Sequence, residues 1–60
     1  MNEQDFMQYI KEAIYNHAEE NGDSIKVETF QEAGMLTMDD GVVVMMGNIE
    51  FQMTIIRRQL

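Results

Sequence analysis

The run Val42-Val43-Val44-Met45-Met46 is apolar at every position. A strand that meets water on one side alternates apolar and polar residues, so a run without alternation asks for cover on both faces and belongs in the middle of a sheet. Gly47-Asn48 follows it, a two-residue connection that tolerates the positive φ of type I′ or II′ hairpin turns. The chain therefore reverses there. Ile49, Phe51, Met53 and Ile55 then alternate with Glu50, Gln52, Thr54 and Ile56, a strand running up to Arg57-Arg58. Upstream, Ile25, Val27 and Thr29 fall on one side of a half-buried strand, with Lys26, Glu28 and Phe30 on the other. Ala33-Gly34 ends it in a turn or bulge. Residues 35–38 are open to a short extended piece before Asp39-Asp40-Gly41 turns the chain.

Ahead of the strands, Phe6, Met7, Ile10, Ala13, Ile14, His17 and Ala18 recur at intervals of three and four, which places them on one face of a helix. Asn2 is suited to cap its first turn, Glu3 and Asp5 sit where the helix dipole favours anions, and Asn21-Gly22 supplies a left-handed stop. The order is α-β-β-β: an α+β fold in which one amphipathic helix crosses a three-stranded antiparallel meander. Sixty residues hold one such domain, spanning 1–60.

A chain of this length hides only about 60 % of its unfolded surface, so burial barely outweighs conformational entropy. Small domains escape by disulfides, a structural metal or association. With no cysteine and a single histidine, the first two are closed, and self-association remains. One helix covers one face, so the other face of residues 42–46 is expected to meet a second copy. Phe30, Val43, Met45 and Ile56 are the candidate interface on that face. The seven methionines serve as flexible gap-fillers, with an adaptable contact surface as the alternative.

Eleven acidic against four basic side chains give a net charge of −7, which repels nucleic acid and anionic lipid and suits a basic protein surface. Glu19, Glu20, Asp39 and Asp40 are the candidate acidic contacts. No apolar stretch approaches the ~20 residues of a membrane span, and Met1 to Asp5 carry no basic leader region, so a cytoplasmic location is expected. His17 near the helix end has no nucleophile or orienting partner at a telling spacing, and Asp39-Asp40-Gly41 has the chemistry of a turn rather than of a cation loop. No catalytic residue, cofactor or metal site is assigned, and Arg57-Arg58 read as solubilising charge at a sheet edge.

The segments Thr29-Phe30-Gln31-Glu32-Ala33-Gly34-Met35-Leu36-Thr37, Gly41-Val42-Val43-Val44 and Glu50-Phe51-Gln52-Met53-Thr54-Ile55 resemble short uncharacterised proteins encoded by phages and prophages. The resemblance covers the C-terminal half. It implies an accessory protein that acts in the bacterial host cytoplasm by binding, as an inhibitor of a host or defence protein; the alternative is a domain whose only action is oligomerisation.

Overall fold

The computed structural model describes all sixty residues. Helix α1 spans Glu3–Asn21, and strands β1 (Lys26–Thr29), β2 (Asp40–Met46) and β3 (Ile49–Ile55) follow. The expected α-β-β-β order is what the chain adopts, with β2 central in an antiparallel sheet ordered β1-β2-β3. No helix is long and apolar enough to cross a membrane.

Both helix ends are fixed by the residues the sequence marks. Asn2 Oδ1 accepts the Asp5 N–H at 2.8 Å. At the other end Gly22 turns left-handed (φ 73°), its N–H donating to the Glu19 carbonyl and that of Asp23 to the Ala18 carbonyl. This pair of bonds is a Schellman closure. Met7, Ile10 and Ile14 then face Val27, Val42 and Val44, with Ile25 and Ile55 at the margins of the core. Gly47 has φ 63° while Asn48 does not enter the positive region, which is the type II′ form of the hairpin turn.

Residues 29–35 hold a device the strand reading does not anticipate. The Glu32 N–H donates to Thr29 Oγ1 at 3.2 Å and the Thr29 N–H to Glu32 Oε1 at 2.8 Å, a reciprocal capping box. One helical turn follows, closed by Gly34 (φ 75°) with Gly34 N–H to the Gln31 carbonyl and Met35 N–H to the Phe30 carbonyl. This turn holds Phe30 over β2, where Gly41 has no side chain to obstruct it: a Cβ there would fall on the Phe30 ring and on the Met53 carbonyl oxygen. Residues 35–38 form no strand.

The second face of β2 is thus closed by the chain itself. Phe30 and Val43 are 3 % and 1 % exposed, so neither is available to a second copy as the sequence pattern led us to expect. Met45, between Lys26 and Glu50 in the register, is half-buried. Ile56 does not extend that face either. The ladder stops at Ile55, Arg57 pairs with Glu3 at 3.0 Å, and Ile56 lines a cleft of about 240 Å³ with Phe6 and the helix N-terminus.

The open apolar surface lies on the helix side instead. The helix packs on β1 and β2 and, apart from Ile55, leaves β3 uncovered. Two features hold it there: residues 22–25 are a short connection into β1, and Lys11 Nζ reaches Glu32 Oε1 at 2.9 Å beyond the end of β1. Ile49 (55 % exposed), Phe51 (55 %) and Met53 (38 %) consequently lie bare.

Glu32 carries a pH dependence. The Thr29 N–H, and then the Lys11 ammonium, hold its carboxyl below the ordinary 4.5. A depressed folded-state pKa contributes stability that is present above the unfolded value and lost as pH falls through the folded one. Because the group is half exposed, the ion pair contributes only about 0.5 kcal/mol. Glu32→Gln retains capping chemistry and removes the charge, so its melting temperature should lie slightly below the parent's at pH 7, and the gap should close on acidification below about pH 4. Thermal melts at both pH values check this; a gap that widens in acid would contradict it.

Candidate functional site

The four candidate acidic residues occupy opposite ends of the molecule. Glu19 and Glu20 sit exposed in the last helical turn, which holds no basic residue, beside the start of β1. Lys26 pairs with Met45 near the hairpin, whereas Asp40 pairs with Ile55 at the far end of the sheet. With about 3.3 Å per residue along β2, the two acidic pairs are roughly 20 Å apart. They are two patches, and no single surface unites them.

The end that carries Asp39 and Asp40 also carries two bare apolar side chains. Leu36 and Met38 are fully exposed, at 104 % and 100 %. The path there is set from both sides: Gly34 closes the turn after Phe30, and the Asp39 N–H donates to Thr37 Oγ1 at 3.1 Å. Asp40 then enters β2, half-buried. The tip therefore presents two unpaired apolar groups directly followed by two carboxylates, an arrangement suited to docking on a surface of mixed apolar and basic character. The carboxylates are candidates from the sequence, and the exposed pair Leu36 and Met38 is added to them by the structure. Their signal was an apolar pair in a segment with neither helical nor clean strand periodicity.

His17 is exposed and lies 3.0 Å from the Asn21 amide nitrogen, one helical turn on. It lines a shallow groove of about 340 Å³ with Ala13, Ile14, Val44 and Met46. Tyr15 lines a separate depression with Glu19, Asp23 and Ser24. On the second face, Lys26 pairs with Glu28 at 2.8 Å, and that carboxylate holds the lysine above its ordinary 10.5.

Two exposed aromatics of α1 pack on one another. Phe6 and Tyr9 stack with ring centroids 6.4 Å apart and planes 8° from parallel. Phe6 lies on the flank of α1 that faces the end of β3, sharing a cleft with Ile55 and Ile56. Phe6 and Ile55 thus bound one end of the bare strip that Ile49, Phe51 and Met53 form along β3.

No family model matches the chain, and no curated protein or solved structure matches it.

Proposed function

We propose that the chain is a small acidic binding module that works as a homodimer and engages a protein with a basic surface, inhibiting it by occupying that surface. The observation that carries this reading is the β1–β2 loop tip, where fully exposed Leu36 and Met38 run directly into Asp39 and Asp40. Large apolar side chains in a loop with no contact of their own contribute nothing to folding and are suited to a partner. Methionine adapts to an irregular partner surface, and the carboxylates steer the encounter. The net charge of −7 extends that steering beyond the tip. A second reading, a domain that only oligomerises, is favoured by the bare face of β3.

The test is capture from bacterial lysate with the immobilised chain. The parent should retain one partner in stoichiometric amount, and the double variant Leu36→Ser/Met38→Ser should retain at least about 10-fold less of it, the loss of two buried apolar contacts being worth more than 1.4 kcal/mol. Its melting temperature should equal the parent's, since neither side chain packs on the domain. Equal capture by parent and variant would overturn the role of the tip.

A further inference from the structure

We infer that β3 is the seam of the homodimer: two copies pair their β3 strands antiparallel about a two-fold axis at Gln52, making one six-stranded sheet with both helices on the same face. This rests on the homodimeric part of the reading above and places the second copy.

The direction of the free backbone groups follows from the hydrogen bonding. The Phe30 N–H donates to the Gly41 carbonyl at 2.9 Å, so Gly41, Val43 and Met45 turn their polar backbone groups toward β1. Val42, Val44 and Met46 then bond β3 through Met53, Phe51 and Ile49, as the two-residue hairpin also requires. The N–H and C=O groups of Glu50, Gln52 and Thr54 are left pointing outward along the free edge. A two-fold at Gln52 matches these three residues to their own copies: Glu50 with the second copy's Thr54, and Gln52 with the second copy's Gln52, each pair exchanging two hydrogen bonds. Shifting the register by two residues in either direction leaves one of them without a partner in the strand.

Side chains agree with that register. On the helix side Phe51 falls opposite the second copy's Met53, and Ile49 opposite its Ile55, all apolar. On the other side Glu50 falls opposite Thr54, and the two Glu50 carboxylates stand roughly 13 Å apart along the strand, beyond the Debye length of about 8 Å. The exposed Phe51 and Met53 side chains of both copies then cover one another on the helix side of the seam.

The chain exposes more surface than its size requires. A folded monomer of 7.0 kDa has about 4000 Å² of accessible surface by size scaling, whereas this chain exposes 4792 Å². That excess is shared between the loop tip, the chain ends and β3, where it is the apolar Ile49, Phe51 and Met53 that lie bare. The two edges also differ in their defences. β1 has four residues and carries the ion pair Lys26–Glu28, whereas β3 has seven residues in unbroken register with a single charge, Glu50, and neither lysine nor proline.

Three chains test the seam by sedimentation at about 100 μM: the parent, Gln52→Pro and Gln52→Cys. The Gln52 N–H points away from β2, so proline there removes a seam bond and leaves the hairpin ladder whole. The parent should sediment at twice the chain mass. Gln52→Pro should keep the parent's far-UV spectrum and raise the dissociation constant about 100-fold or more. In a chain with no other cysteine, Gln52→Cys should oxidise to a covalent dimer, because hydrogen-bonded partners across antiparallel strands lie about 5.5 Å apart, within disulfide reach. A Thr37→Cys control should not. A parent dimer that Gln52→Pro leaves intact, with no covalent dimer from Gln52→Cys, overturns the seam and leaves the homodimer standing. A folded parent monomer overturns both. If Gln52→Pro fails to fold, the cross-linking of Gln52→Cys against the Thr37→Cys control decides the matter.

Discussion

Gly41→Ala is expected to destabilise the chain by about 3 kcal/mol, at the upper end of what a single added methyl costs by overpacking. The Cβ would collide at once with the Phe30 ring and with the Met53 carbonyl oxygen. A ring can rotate or withdraw; a carbonyl in the β2–β3 ladder cannot move without loosening the ladder. Gly41 has no positive φ, so the cost is steric and owes nothing to backbone conformation. Total stability for a domain this small is only about 3–5 kcal/mol, so the variant should keep no more than about 2 kcal/mol, and at the lower figure about half of it should be unfolded at 25 °C in dilute solution. The double variant Phe30→Ala/Gly41→Ala separates the two obstacles. It should be more stable than the sum of the single changes predicts, by more than about 0.5 kcal/mol, because the ring overlap disappears while the carbonyl overlap remains. Urea titrations of the parent and the three variants measure this, and strict additivity would show that Phe30 and Gly41 are not in contact.

The second large effect is expected at Met7, which is fully buried at the centre of the helix-sheet contact. Met7→Ala should cost about 3 kcal/mol, the lost transfer energy plus a cavity that Val42 and Val44 on the rigid sheet cannot close. Met7→Leu conserves volume and should cost less than about 1.5 kcal/mol. Only eight of the sixty residues are buried, so no other part of the core can compensate for an alanine there. Urea midpoints at constant protein concentration give both values, concentration being held because dimerisation would add to apparent stability. A Met7→Ala midpoint close to the parent's would mean that the helix contributes far less to the fold than its buried face implies.

Legibility in the sequence followed the physics of each signal. The helix was legible because its period and both of its caps agree, and the β2–β3 hairpin because Gly47-Asn48 lies between an unbroken apolar run and a clean alternation. Which strands the helix covers was not legible. Periodicity tells which face of a strand is apolar, but where a helix axis crosses the sheet depends on a connection length and on the contact of Lys11 with Glu32, two residues far apart in the chain. For that reason the sequence pattern points to an uncovered surface on the side of Phe30 and Val43, whereas it lies at Ile49, Phe51 and Met53. The closure of the second face did have a signal: Thr29-Phe30-Gln31-Glu32 carries the spacing of a capping box, and the glycine at 41 leaves room for the aromatic ring that box positions. Of the candidate acidic site, the residues were legible and their separation was not, because the two pairs are parted only when the sheet sets its register.

That separation sharpens the account of function. If the β1–β2 tip docks on a basic surface, Asp39 and Asp40 act at the contact while Glu19 and Glu20, roughly 20 Å away along the sheet, contribute only to the long-range field. The measurement that tests this most directly is the rate of association with the captured partner, at about 50 and 500 mM salt, for the parent, Asp39→Asn/Asp40→Asn and Glu19→Gln/Glu20→Gln. The parent's association rate should fall at least about 10-fold with salt, the Asp39/Asp40 variant should start slow and lose most of its salt dependence, and the Glu19/Glu20 variant should stay close to the parent. An association rate independent of salt, with binding by the Asp39/Asp40 variant equal to the parent's, would contradict the account.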